Sequence, residues 1–207
     1  CDGILLESNK IKTNAFAETV KEYGEDAVFE MCKYHTERGG ISRYKKFEYF
    51  QKNICSKLKL DIKEIKVESL VKKYAEIVYE KLSNCKIEDE IIKYRSISNA
   101  DWYIVSGSDQ EELNRVLKKR NIDKVFNGGI FGSPRTKEVI FRNLIDTKKI
   151  KRENSIYIGD SKYDHVSARK VGIDFIFIKK WSEFNNISKY AYSNDIKIYQ
   201  EFKDIID

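Results

Sequence analysis

The sequence predicts an α/β protein, a doubly wound parallel sheet with a long all-helical stretch ahead of most of its strands. Two changes of texture predict it. From about Lys10 to Ser83 apolar residues recur at helical spacing and no convincing strand occurs. After roughly Asn84, apolar runs of four or five residues alternate with helical patterns, the mark of parallel strands joined by crossover helices. In such Rossmann-like sheets ligands sit beyond the carboxyl ends of the strands. The polar residues fall there: Ser106 follows Ile104-Val105, and Asp160 follows Tyr157-Ile158-Gly159.

The elements follow in order. A helix over Asn14–Tyr23 ends at Gly24, and one over Asp26–Arg38 ends at the Gly39-Gly40 pair, since glycine commonly closes a helix. Ser42 is placed as the N-cap of a helix over Arg43–Leu58. Val67–Leu82 carries apolar Leu70, Val71, Tyr74, Ile77, Val78 and Leu82 on one stripe. Strands are then expected at Trp102–Val105, Val125–Phe126, Ser155–Ile158, Phe175–Ile178 and Ile196–Tyr199. Helices between them are expected at Gln110–Arg120, Thr136–Ile145 and Tyr163–Val171, with another after Ile178.

The whole chain sets bounds. Its 207 residues suffice for one substantial core carrying a modest insertion. A hydrophobic fraction of 41% with 13 tyrosines and 11 phenylalanines indicates a globular chain. No stretch approaches the roughly 20 apolar residues that span a bilayer, so no membrane partner is expected. The formal charge of +6 invites a nucleic-acid reading, which predicts a clustered basic face and salt-sensitive binding. The lysines instead are dispersed and alternate with glutamates, as on solvated helix faces. No nucleic-acid partner is therefore expected. Cys1, Cys32, Cys55 and Cys85 lack metal-ligand spacing, and reduced thiols in a cytoplasmic protein are the simplest account.

Four segments carry the chemistry: Asp2-Gly3-Ile4-Leu5, Val105-Ser106-Gly107-Ser108, Gly132-Ser133-Pro134-Arg135-Thr136-Lys137 and Ile158-Gly159-Asp160-Ser161-Lys162-Tyr163-Asp164. Singly each has an ordinary reading: a turn, a loop serine, a surface lysine, a strand exit with a helix cap. Their order, each at a strand end or helix start, decides. The chain resembles the haloacid dehalogenase superfamily, within it the phosphoglycolate phosphatase and β-phosphoglucomutase-like members with a helical cap. The resemblance implies a core of residues 1–13 and 86–207 and a helical cap of residues 14–85. It also places the nucleophilic aspartate immediately before Cys1, with the strand leading to it.

The resemblance implies a magnesium-dependent phosphatase acting on a small phosphorylated metabolite, a sugar phosphate or phospho-acid, through an aspartyl-phosphate. Mg²⁺ would offset the repulsion between carboxylate and phosphate dianion. Asp160 would ligate the metal directly, Asp164, one turn further on, would act behind the direct ligands or through water, and Asp2 would ligate through its backbone carbonyl. The Asp2 side chain would be general acid and then base. Ser106, the Gly107 amide and Lys137 would bind the transferring phosphoryl group. In the cap, the glycine pair and a following helix N-terminus suit an anion, and Arg43 and Lys46 are candidates for contacting substrate. His35 is expected at the surface or half-buried, and His165 as structural. The alternatives are a phosphomutase on the same scaffold and a non-catalytic member binding phosphometabolites or a protein partner. A dehalogenase is disfavoured by Asp2, and a phosphonatase by the absence of a singled-out cap lysine. Oligomeric state is not legible.

Overall fold

The computed structural model describes residues 1–205, with the backbone alone at Lys63; residues 206 and 207 of the expected core lie outside the described residues. The chain is an α/β protein with a helical N-terminal region. The first helices are α1 (Asn9–Val20), α2 (Glu25–Glu37), α3 (Arg43–Tyr49), α4 (Cys55–Lys57) and α5 (Val67–Leu82). A π-helical turn over Phe50–Ile54 joins α3 to α4. The expected Arg43–Leu58 helix is thus one element with a widened middle turn. α5 occupies the predicted span, and its buried Leu70, Tyr74, Val78 and Leu82 form the expected apolar stripe. α1 packs against α2 and α5, and Phe16, Phe47 and Tyr74 interlock there, with ring centroids 4.3 to 5.8 Å apart.

After α6 (Asp89–Ile97), which is not among the expected helices, strands and helices alternate: β1 (Tyr103–Asp109), α7 (Gln110–Lys119), β2 (Gly129–Ser133), α8 (Lys137–Asp146), β3 (Ile156–Gly159), α9 (Lys162–Val171), β4 (Asp174–Ile178), α10 (Ile187–Ser193) and β5 (Lys197–Tyr199). All strand pairs are parallel. They form two groups, β1-β2 and β3-β4-β5, tied by the Tyr157 hydroxyl donating to the Val105 carbonyl at 2.8 Å. α8 packs on α9 beneath the strands, and Ile140, Phe141, Leu144, Ala168 and Val171 are buried with Val105.

Two expectations are corrected. Val125 closes a 3-10 turn (Asp123–Val125) and the strand lies at Gly129–Ser133. There parallel pairing of Gly129, Ile130 and Phe131 with Tyr103, Ile104 and Val105 outweighs the poor strand propensity of a glycine-rich run. α1 begins at Asn9, five residues before its expected start; its first turn is polar, and Lys12 there is buried in spite of its charge.

Candidate active site

The carboxyl ends of β1 and β3, the starts of α8 and α9, and the α2–α3 loop meet at one cavity of about 440 Å³. Register between β1 and β2 breaks between Val105 and Asp109, which frees Ser106, Gly107 and Ser108 from regular pairing. Ser106 is buried and its hydroxyl accepts from the Ser108 amide at 3.1 Å. Thr136 caps α8, so Lys137 enters the cavity from the first turn, 5% exposed among a chain rich in surface lysines.

Asp164 holds Lys137. In the capping box of α9, its Oδ2 accepts from the Ser161 amide at 3.1 Å and hydroxyl at 2.6 Å. Its Oδ1 accepts from Lys137 and lies 2.8 Å from the Tyr157 hydroxyl, whose one proton it shares with the Val105 carbonyl. Burial would raise the Asp164 pKa, but the Lys137 charge outweighs it and the carboxyl is held below its ordinary value. Both Asp164 oxygens meet this chain's own donors, so the residue positions Lys137 and sits where the expected role beyond the metal's direct ligands, or through water, would place it.

Asp160 differs. Its Oδ2 accepts from Asn9 Nδ2 at 2.6 Å, and Asn9 also donates to the Trp181 carbonyl at 2.8 Å. Burial and the neighbouring Asp164 push its pKa up to about 7. Gly3, at φ 69°, lies so close that a Cβ would run into the Asp160 carboxylate. Among the described residues no three His, Cys, Asp or Glu side chains converge as a metal cage. A hard cation would suit Asp160, a desolvated oxygen donor with Oδ1 free, and the Asp2 carbonyl accepts no hydrogen bond among the described residues.

The Asp2 carboxylate accepts from Ser8 at 2.6 Å and Ser108 at 2.6 Å, and pairs with Lys12 at 2.7 Å. Burial would raise its pKa, but the Lys12 charge dominates and keeps it well below the usual carboxylate range. Lys12 also donates to the Ser108 hydroxyl at 2.5 Å. Sequence reasoning passed over Lys12, Ser108 and Asn9. The one available signal was Lys12 on the apolar side of a helix; the rest of the cluster exists only once the chain folds.

From the cap, the Gly40 carbonyl lies against Gly107, where any Cβ would collide with it. Lys46 reaches the cavity wall, bonded to His35 Nδ1 at 2.6 Å. His35 is buried at 9% exposure, neither at the surface nor half-buried as expected. Arg43 also lines the cavity, but its guanidinium is committed to Glu112 of α7 and stacks 4.7 Å from the Tyr74 ring. His165 is structural, 3.0 Å from the Tyr190 hydroxyl and packed on Phe175.

Residues 1–178 match the family model described as haloacid dehalogenase-like hydrolase. The chain belongs to the haloacid dehalogenase-like hydrolases. Solved structures similar to this hydrolase include a haloacid dehalogenase-like family hydrolase from Streptococcus pneumoniae, 21% identical, with a TM-score of 0.71 and coverage of 100% of this chain and 94% of that one. A predicted phosphoglycolate phosphatase from Haemophilus somnus is 18% identical at a TM-score of 0.78, with 100% and 93% covered. YfnB from Bacillus subtilis, solved bound to magnesium, is 16% identical at 0.64, with 95% and 96% covered. A search of the curated proteins found no match. The described residues of this hydrolase contain no helix long and apolar enough to cross a membrane.

Proposed function

We propose that this hydrolase is a magnesium-dependent phosphatase of small phosphorylated metabolites, with residues 1–13 and 86–207 as its catalytic core and 14–85 as its cap. The observation that carries the reading is the arrival of Ser106, Lys137 and Asp160 at one cavity from three separate βα junctions. Lys137, fixed by Asp164, and the Ser106 hydroxyl with the Gly107 amide would hold phosphoryl oxygens at the strand end. Asp160 and the Asp2 carbonyl would hold Mg²⁺ together with the carboxylate expected before Cys1. When bound, the cation supplies charge neutralisation for attack on a phosphate dianion.

That preceding carboxylate would be the nucleophile, forming an aspartyl-phosphate. Asp2, kept ionised by Lys12, suits the base half of its role, taking a proton from the hydrolytic water. Protonation of the leaving oxygen by Asp2 requires the Asp2–Lys12 pair to separate first, so that the carboxyl can carry a proton. Gly40 resting on Gly107 brings the cap loop over the strand end, where it would limit the access of bulk water.

The test is phosphate release from a panel of phosphometabolites by the full-length gene product, with Mg²⁺ or with EDTA, beside Asp160→Asn and Asp2→Asn. Release that requires Mg²⁺ and falls by about 10²-fold or more in both variants is expected. Release indifferent to EDTA, or to Asp160→Asn, would overturn the reading.

A further inference from the structure

Among the described residues four cationic side chains are buried: Lys12, Arg43, Lys46 and Lys137. Three have a carboxylate partner: Asp2 for Lys12, Glu112 for Arg43 and Asp164 for Lys137. Lys46, the least exposed of the four at 2%, has none within ion-pair distance. Its Nζ donates to His35 Nδ1 at 2.6 Å and to the His35 carbonyl at 3.5 Å, and the Phe16 ring centroid lies 5.4 Å away. The charges it faces do not supply a counter-ion. Lys12 and Lys137 are of like sign, Asp2 is already paired to Lys12, and Glu183, held by a bond from the Thr13 hydroxyl, makes no ion pair with Lys46. A buried ammonium left this way is a standing cost to the fold. Accepting from Lys46 leaves the His35 proton on Nε2. Both side chains line the cavity that holds Ser106, Lys137 and Asp160.

We propose that Lys46 and His35 form a subsite for a carboxylate carried by the substrate, so that the preferred ester is a short phosphorylated carboxylic acid. This deepens the phosphatase reading and rests on it. The remaining N–H of Lys46 and the Nε2–H of His35 are the donors, and a carboxylate can accept from both. Its negative charge supplies the counter-ion that the chain withholds. A polyol phosphate occupying the same cavity leaves the ammonium unpaired and forfeits that gain. Burial, with Lys12 nearby, draws the Lys46 pKa down to about 7, and an anion beside it would return the proton, coupling binding to protonation.

The test is a matched pair of probes, 3-phosphoglycerate and glycerol 3-phosphate, which differ by a carboxylate in place of a hydroxymethyl group. Their affinities would be measured by titration calorimetry with Mg²⁺ on the full-length gene product and on Lys46→Met, Lys46→Gln and Lys46→Arg. The expected result is a preference for the acid of about 10- to 100-fold in the parent. It should collapse toward unity in Lys46→Met and Lys46→Gln and be partly kept in Lys46→Arg. Lys46→Gln keeps the comparison available should the methionine variant fail to fold. Equal affinity for the two probes, or equal weakening of both in the neutral variants, would overturn the subsite while leaving the phosphatase reading intact. Binding of neither probe, with no phosphate release from any ester, would overturn both.

Discussion

At the scale of the residue, the site is organised by which buried charges are paired. Lys12–Asp2 and Lys137–Asp164 are matched, whereas Lys46 stands against a neutral histidine. The His35 pKa is held well below its ordinary value by burial and by the cations Lys46 and Lys12, so it adds no positive charge near neutrality. Lys46 should therefore lower the stability of the ligand-free protein. Its folded pKa, about 7, lies below the ordinary 10.5, so between these values the unfolded chain binds more protons and stability rises with pH. The cost is full below pH 7 and vanishes toward pH 10.5. Lys46→Met should stabilise the ligand-free protein by about 1–4 kcal/mol below pH 7, with the gain fading as pH rises, in denaturant melts across that range. Ser106, Lys137 and Asp160 were legible because each sits at a strand exit or helix start. Lys12, Ser108 and His35 were not, because their roles come from partners far away in sequence.

At the scale of the element, the capping box of α9 joins helix initiation to placement of a functional side chain. Ser161→Ala removes the cap and one hydrogen bond to Asp164. A stability loss of about 1 kcal/mol is expected in thermal unfolding, together with weaker phosphate binding as Lys137 loses its fixed partner. Elements with strong local signals were readable: α5 has an unbroken apolar stripe, and α9 ends at Gly172 in the left-handed conformation. β2 was misplaced because Gly129–Ser133 reads locally as a turn and becomes a strand only by pairing with β1. The π-helical turn after α3 was invisible because Phe50 and Ile54 still fall on the buried face.

At the scale of the molecule, cap and core meet through the Arg43–Glu112 pair, both side chains under 8% exposed, and through Tyr44 donating to Asp109 at 2.8 Å. Glu112 Oε2 is buried without a partner, so this junction is incompletely satisfied. Arg43→Met and Glu112→Leu should each cost about 3–5 kcal/mol by leaving one buried charge, and the double variant clearly less than their sum, measured as a double-mutant cycle by urea denaturation. The Asn9 amide that bridges Asp160 to the Trp181 carbonyl has a further consequence. The chain has two tryptophans, and Trp102 packs apart from the site with Tyr94 and Phe202. In a Trp102→Phe background, emission from Trp181 becomes a direct optical reporter of cation capture at Asp160. Titrating Mg²⁺ should shift or quench it saturably, and Asn9→Ala should uncouple the signal from the binding event. A spectrum that stays flat while calorimetry detects Mg²⁺ would show that the bridge transmits nothing.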